Sequence, residues 1–401
     1  MSAGCAHSRR APARLELAHI LRARGPAYAA THRLAGVQHR AVADICACRT
    51  EAMGARHFRC DACGEETLVY CSCGNRHCPK CQSLARERWL CARQAELLPV
   101  PYFHVVFTLP HELNVLAQAN PRAIYDLLFE TASRTLLEFG ANPRWLGGEL
   151  AITLVLHTWG QNLSQHLHVH ALVSGGALSP DGAQFVRARR GFLFPVQALS
   201  KVFRGKYLAA LEAALVDGAL RLGSRYAELA QSPPRRQWLQ ALRAQDWVVY
   251  VKPPFAGPAS VLQYLGRYTH RLALSNDRLV TFDGEQVRFR WRDYAHGNRM
   301  KLLTLEADEF IRRFFLHVLP RGLMRIRHYG LAANRSKAAK LAAARAALNV
   351  PQPSIPSAPE TLIAFCQRIL GTDLSRCPHC RLGTLQLISV TRRARGPPVS
   401  P

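Results

Sequence analysis

Three histidines alternate along one short stretch of the chain, at positions 166, 168 and 170 in QHLHVHALV. Successive side chains of a β-strand point to opposite faces, so a strand here would place all three imidazoles on one side. The apolar residues that follow favour a strand that continues into a core. Because neutral imidazoles are common ligands of divalent metals, the stretch predicts a metal site.

A fourth histidine comes from the strand predicted just before it, over residues 150 to 157. Residues 160 to 164 are mostly polar and begin with glycine, which favours a tight turn. An antiparallel hairpin centred on that turn would set His157 directly opposite His168. We therefore expect the two strands to share one metal site.

The expected metal ligands are His157, His168 and His170, with His166 as the competing third ligand and Gln161 as a weaker one. Three imidazoles leave positions on the ion open for phosphate oxygens. By ligand softness alone, histidines favour zinc or a later transition metal. The expectation of Mg²⁺ or Mn²⁺ rests on the reaction proposed below.

Two tyrosines, Tyr264 and Tyr268, stand four residues apart in YLGRYTHR, within a helix predicted over residues 260 to 271. That spacing puts both phenols on one side of the helix, one turn apart. Arg267 and Arg271 have the same spacing and could hold phosphates. A metal-binding strand and paired phenols in a basic chain indicate phosphodiester cleavage by a tyrosine nucleophile.

Two Cys-x-x-Cys pairs, Cys60 with Cys63 and Cys78 with Cys81, are separated by fourteen residues. This spacing predicts one four-thiolate zinc site, which would be structural because its coordination is closed. The zinc would shape a DNA-contacting surface that includes the following basic residues: Arg56, Arg59, Arg76 and Lys80. Other residues close enough to substitute as ligands or to form a second site are Cys46, Cys48, His57, Cys71, Cys73 and His77.

A last pair, Cys377 and Cys380, makes half a metal site. The sequence leaves three options open for it. The pair could complete a second zinc site with upstream cysteines, pair with a partner chain, or have no role as a ligand.

The chain of 401 residues carries a formal net charge of +26, which points to a polyanionic partner, with nucleic acid favoured over a membrane surface. Its first twenty residues lack the apolar core of a signal peptide, and no apolar run is long enough to span a bilayer. The thirteen cysteines are therefore expected in a reducing bacterial cytoplasm, at the nucleoid, where clustered pairs bind metal more often than each other.

The pattern of helices and strands predicts an α+β fold with an antiparallel sheet. Helices are expected over residues 12 to 48, interrupted near Gly25 and Pro26, and again over residues 82 to 98. The predicted organisation is a helical and zinc-binding domain (1 to 98), a catalytic domain (99 to 334) and a C-terminal linker with a disordered basic tail (335 to 401).

Three stretches in this order resemble the rolling-circle transposases of the insertion sequence 91 family: YCSCGNRHCPKCQ at 70 to 82, HLHVHALVSGGALSPDG at 166 to 182 and YLGRYTHRLALSN at 264 to 276. HVLPRGLMRIRHYGLAAN at 317 to 334 supports the match, which covers roughly residues 12 to 334. Glycine at position 74 departs from the expected pattern, but the cysteines around it are intact.

The resemblance implies an N-terminal zinc-binding domain followed by a catalytic domain of the HUH type, an antiparallel sheet with flanking helices. It implies cleavage of single-stranded DNA at the element's end through a 5′-phosphotyrosine, followed by transfer to a target. The histidine pair of the family maps onto His168 and His170, and its tyrosines map onto Tyr264 and Tyr268. The competing interpretations are a non-catalytic zinc-containing DNA-binding protein and a plasmid relaxase or replication initiator.

Overall fold

The computed structural model describes residues 14–252, 260–261, 266, 273–294, 296–353, 360–371 and 373–393. The α+β class is confirmed. The helices are α1 (Leu17–Thr31), α2 (Gly36–Ala47), α3 (Gln82–Gln94), α4 (Asn114–Ala119), α5 (Pro121–Ala141), α6 (Val196–Val216), α7 (Ser232–Ala244), α8 (Ala307–Leu316), α9 (Lys337–Ala347) and α10 (Leu362–Leu370). The strands are β1 (Gly54–Cys60), β2 (Glu66–Tyr70), β3 (Tyr102–Thr108), β4 (Glu149–Trp159), β5 (Gln165–Leu178), β6 (Phe185–Arg187), β7 (Val249–Lys252), β8 (Leu279–Phe282), β9 (Gln286–Asp293), β10 (Arg299–Glu306), β11 (Ile326–Gly330) and β12 (Leu385–Arg392).

The central sheet has the strand order β11-β4-β5-β3-β7, and β6 pairs with the end of β5. Every pairing in it is antiparallel. Alternate β5 residues, including Leu167, Val169 and Ala171, face a core shared with α5 and α6. A shift of one residue in register would exchange them for the histidines, so the burial of these apolar side chains fixes which face the imidazoles occupy.

The β4–β5 hairpin turns at residues 160 to 164, as predicted, and its register places His157 opposite His168. Leu163 has a φ of 64° in this turn and is fully buried. Its side chain belongs to a second core with α1, α8 and β9. Burial of this side chain offsets the strain of the left-handed backbone, which for a residue with a Cβ is of the order of 1–2 kcal/mol.

The predicted break of the first helix near Pro26 is wrong, because α1 runs through this residue to Thr31 and the break falls at residues 32 to 35. Proline removes one backbone hydrogen bond from a helix. Here the flanking Gly25 and Tyr28 are buried against the rest of the molecule, and that packing keeps the helix continuous.

The C-terminal segment returns to the N-terminal region. Strand β12 pairs antiparallel with β1, and together with β2 they form a small sheet. The expectation of a disordered basic tail is wrong for residues 385 to 392, because LQLISVTR is rich in β-branched and other apolar residues and forms a strand with β1 as its partner. The part of the predicted linker at residues 354 to 359 lies outside the described residues. No helix in the described parts of the chain is long and apolar enough to cross a bilayer.

Candidate functional site

Three imidazoles converge on the face of the central sheet opposite its main core. His157 on β4 lies across from His168 on β5, and His170 is the next β5 residue on that face. Nε2 of His170 is 3.1 Å from Nε2 of His168 and 3.0 Å from Nδ1 of His157. We call these three residues the histidine centre.

The ring nitrogens that point away from this meeting point have acceptors of their own. Nδ1 of His168 lies 2.9 Å from the carbonyl oxygen of His166, which can only accept, so His168 carries its proton on Nδ1 and has a lone pair on Nε2. Nδ1 of His170 lies 2.8 Å from Nε2 of His104 on β3. When His104 accepts that hydrogen bond, the Nε2 lone pair of His170 points into the centre.

Burial keeps the imidazoles of His168 and His104 neutral. It lowers the pKa of His168 to about 3, with a smaller contribution from the nearby His166. It also lowers the pKa of His104 to about 3, and Lys252 acts in the same direction. A neutral imidazole is the form that binds metal, so protonation does not compete with metal binding at His168 at neutral pH.

The donor set fits a six-coordinate divalent ion. Ligand bonds of about 2.1 Å at right angles put neighbouring donor atoms about 3.0 Å apart. The nitrogen separations of 3.0 and 3.1 Å about His170 match this value. Three protein ligands leave coordination positions for substrate oxygens.

His166, the competing third ligand, is not part of the histidine centre. Its ring packs beside His111 with ring centroids 5.4 Å apart. The backbone carbonyl oxygen of Gln161 accepts a hydrogen bond from Arg278 in the hairpin turn, and the role of the Gln161 side chain as a weaker ligand stays a prediction. His104 was missed by the sequence analysis because its pairing with β5 joins strands about sixty residues apart, and its only local signal is its place in an alternating strand.

The predicted nucleophiles Tyr264 and Tyr268 lie outside the described residues, as do Arg267 and Arg271. Two neighbours in the chain are described. Val261 is buried in an apolar cluster with Leu172, which shares its sheet face with His170. Gly266 lies against Leu90 of α3, so close that an added Cβ would come within 2.7 Å of the leucine side chain.

Eight cysteines of the described residues form two groups of four, and the predicted single site is wrong in its grouping. Cys78 and Cys81 lie beside Cys48 and Cys73, which the sequence analysis gave only as substitute ligands or as part of a second site. We call these four residues the inner cluster. Residues Cys60 and Cys63 meet the C-terminal pair, giving the outer cluster Cys60, Cys63, Cys377 and Cys380. The physical reason is that the end of α2 meets the start of α3, whereas β1 carries its cysteines toward β12.

The inner cluster fits a structural zinc ion. Sγ of Cys81 lies 3.5 Å from that of Cys48 and 3.6 Å from that of Cys73. Four sulfurs at about 2.3 Å from a tetrahedral zinc would be about 3.8 Å apart. Hydrogen bonds from the thiols of Cys73 and Cys78 lower the pKa of Cys81, so one ligand of the group is already disposed to ionise.

Two of the four basic residues predicted to contact DNA in this region, Arg76 and Lys80, are engaged within the protein. The guanidinium of Arg76 donates to the carbonyl oxygens of Leu323 and Pro320, each at 2.6 Å, and of Leu319 at 3.3 Å. Lys80 forms an ion pair with Glu16 at 2.8 Å. Both therefore hold the zinc knuckle, the segment of residues 73 to 81 that carries three cysteines of the inner cluster, to the rest of the molecule. The structure does not support their assignment to a DNA-contacting surface.

Two family models match the chain. One, described as "Transposase zinc-binding domain", matches residues 20–109, and the other, described as "Putative transposase", matches residues 151–340. These matches cover the cysteine-rich region and the strands of the histidine centre. The class of protein is thus a transposase with a zinc-binding domain.

Two relatives make the assignment more specific. The chain is 47% identical to "Putative transposase y4qJ" of Sinorhizobium fredii, over 96% of this chain and 97% of the relative. It is 27% identical to "Transposase for insertion sequence element IS801" of Pseudomonas savastanoi pv. phaseolicola, over 86% of this chain and 82% of the relative. The chain belongs to the insertion sequence 91 family of transposases, and membership implies a DNA-binding, DNA-cleaving enzyme. No solved structure matches it.

Proposed function

We propose that this transposase nicks and joins single-stranded DNA through a 5′-phosphotyrosine, with the histidine centre holding Mg²⁺ or Mn²⁺, during rolling-circle transposition. The observation that carries the proposal is the convergence of three imidazoles, with Nε2 of His170 3.1 Å from Nε2 of His168 and 3.0 Å from Nδ1 of His157. Val261, three residues before Tyr264, packs in the apolar cluster on the same sheet face.

In the cleavage step, the phenol oxygen of Tyr264 or Tyr268 forms a bond to phosphorus as the bond from phosphorus to the 3′ oxygen breaks. The phenol loses a proton and the departing 3′ oxygen gains one, so charge and atoms balance. Joining reverses these bonds with a new 3′ hydroxyl. Two phenols would let one hold the donor strand while the other cuts the target.

His157, His168 and His170 hold the ion, and His104 positions His170 by fixing which ring nitrogen carries the proton. When bound, the ion polarises the scissile phosphate and stabilises charge on the leaving oxygen. Arg267 and Arg271 are assigned to the flanking phosphates. The net charge of +26 favours the approach of DNA and makes binding depend strongly on salt.

The tyrosine assignment is tested with labelled single-stranded DNA from the element's end, incubated with Mn²⁺ and the full chain. We expect a covalent adduct with the native chain and none with the Tyr264→Phe/Tyr268→Phe double variant. Tyr250→Phe is the matched control, because Tyr250 is an exposed phenol on the same sheet face. An adduct that persists in the double variant, or disappears only in the control, would overturn the assignment.

The metal assignment is tested by Mn²⁺ titration of adduct formation. We expect His168→Ala/His170→Ala to lower the rate at least about 100-fold while the protein still binds the labelled strand. A metal-free hydrogen-bond chain from His104 through His170 to His168 would fit the same distances. A cleavage rate that is unchanged by Mn²⁺ and by the double variant would favour that chain and reject the metal site.

A further inference from the structure

The outer cluster joins the two ends of the described chain. Cys60 is the last residue of β1 and Cys63 follows it, whereas Cys377 and Cys380 precede β12. We propose that these four thiolates bind a second zinc ion, which fastens the C-terminal segment to the N-terminal zinc-binding region. The matched zinc-binding family model ends at residue 109, so it does not include the second pair.

The sulfur positions fit one tetrahedral ion. Sγ of Cys60 is 3.7 Å from Sγ of Cys380, and Sγ of Cys63 is 3.9 Å from Sγ of Cys377. A zinc ion with four bonds of about 2.3 Å requires sulfur separations of about 3.8 Å. These distances are far too long for disulfides, whose sulfurs are about 2.05 Å apart.

The backbone of the two pairs is built alike. The amide of Gly64 donates to the carbonyl of Cys60 at 3.1 Å, and the amide of Arg381 donates to that of Cys377 at 2.9 Å. Gly64 and Arg381 directly follow the second cysteine of each pair, and both have left-handed backbones, with φ of 72° and 59°. Two equivalent turns that face each other form a complete four-sulfur site, whereas a chance cluster has no reason to repeat this geometry.

The approach of the pairs depends on one glycine. A Cβ on Gly383 would lie 2.5 Å from Sγ of Cys60, so a larger residue cannot occupy this position without displacing the cluster. The amide of Gly383 is also 3.4 Å from Sγ of Cys380, where it can donate a hydrogen bond to a thiolate. The amides of Asp61 and Thr384 complete the junction, one donating to the carbonyl of Thr384 and the other to the carboxylate of Asp61.

Thiolates select zinc over Mg²⁺ and Mn²⁺, and four of them leave no position for substrate. The ion would therefore act by closing a loop of 314 residues between Cys63 and Cys377. Such a closure lowers the conformational entropy of the unfolded chain and so stabilises the folded protein. It also makes the strand β12 dependent on zinc, since β12 begins five residues after Cys380.

The test measures zinc per chain in the full-length protein, in a His168→Ala/His170→Ala background that removes the histidine centre as a zinc site. We expect two zinc ions per chain, one after Cys377→Ser/Cys380→Ser, and two after the control Cys46→Ser, a cysteine outside both clusters. Hydrogen exchange should show loss of protection of residues 385 to 392 in the double serine variant alone. One zinc ion or fewer in the background chain, or two in the double serine variant, would overturn the proposal.

A second measurement needs no cysteine variant and remains decisive if that variant does not fold. Cys63 is exposed, so as a free thiol it would react quickly with iodoacetamide. We expect Cys63 and Cys380 to be alkylated only after a zinc chelator is added. Rapid alkylation of Cys63 in the zinc-loaded protein would contradict the site.

Discussion

The histidine centre and the inner cysteine cluster are both sets of convergent ligands, but they are built for different purposes. The histidine centre offers three imidazole donors from one hairpin and leaves positions for substrate oxygens. The inner cluster offers four thiols and closes the coordination sphere. The number and type of ligands therefore separate a site suited to chemistry from one suited to structure.

The two regions also differ in what they support. The histidine centre lies on a sheet whose opposite face is already packed against α5 and α6. The inner cluster has little core of its own, and its knuckle holds the segment that leads into β11 through Arg76 and through His77, which accepts from the amide of Leu319. Removing an ion should therefore affect activity at the first site and folding at the second.

The largest expected effect comes from breaking the inner cluster. Cys81→Ser should abolish zinc binding there and unfold the N-terminal region, because a structural zinc site contributes on the order of 10 kcal/mol to folding. His170→Ala should leave the protein folded and cost about 1–2 kcal/mol, since the sheet keeps its apolar core. Circular dichroism and urea unfolding measure the loss of structure and of stability in the two variants. Equal losses of stability would show that the two sites do not differ in their contribution to folding.

A smaller effect should follow from removing the link between the knuckle and the sheet. Arg76→Ala leaves three carbonyl oxygens without their donor, and we expect a loss of about 3 kcal/mol in the free energy of unfolding. Lys80→Ala is the control, because its ion pair with Glu16 should contribute about 1 kcal/mol or less. Urea unfolding measures both. If the two variants lose the same stability, Arg76 does not anchor the knuckle.

The histidine centre could be predicted from the sequence because its geometry is local. One hairpin determines which residues lie opposite each other, and the turn at residues 160 to 164 was visible as a polar, glycine-led stretch. Alternation of apolar residues then determined which face the imidazoles occupy. His104 could not be found in this way, because the pairing of β3 with β5 is not encoded by any local pattern.

The cysteine grouping could not be predicted because its partners are brought together by distant contacts. The spacing in the sequence predicts that Cys63 and Cys78 share one site. In the structure the pairing of β1 with β12 brings Cys377 beside Cys63 instead. Charge is similarly ambiguous. The sequence predicts that Arg76 contacts a phosphate. In the structure its guanidinium instead donates hydrogen bonds to backbone carbonyls and holds the knuckle to the rest of the molecule.

Acid should weaken the face that carries the histidine centre. Burial lowers the pKa of both His104 and His168 to about 3 in the folded protein, against 6.5 as the ordinary value. Between these values the unfolded chain binds protons that the folded protein does not, so stability is complete above pH 6.5 and falls as the pH drops toward 3.

From pH 7.5 to pH 5, each of these two imidazoles should cost about 2 kcal/mol, because one pKa unit corresponds to about 1.4 kcal/mol. Urea unfolding at the two pH values measures the loss. His168→Gln should show a shallower dependence on pH than the native chain. A native protein that is equally stable at both pH values would contradict the burial of neutral imidazoles.

The smallest effect isolates a residue that acts on the histidine centre without belonging to it. Nε2 of His104 lies 2.8 Å from Nδ1 of His170 and can accept its proton. His104→Leu removes this acceptor, and we expect the apparent affinity for Mn²⁺ to fall about 10- to 100-fold, with little change in zinc content. His104→Gln should restore much of the affinity, because its amide oxygen accepts the same hydrogen bond. If the His104→Leu and His104→Gln variants bind Mn²⁺ equally well, His104 only fills space. The difference between the histidine centre and the inner cluster would then depend on their ligands alone.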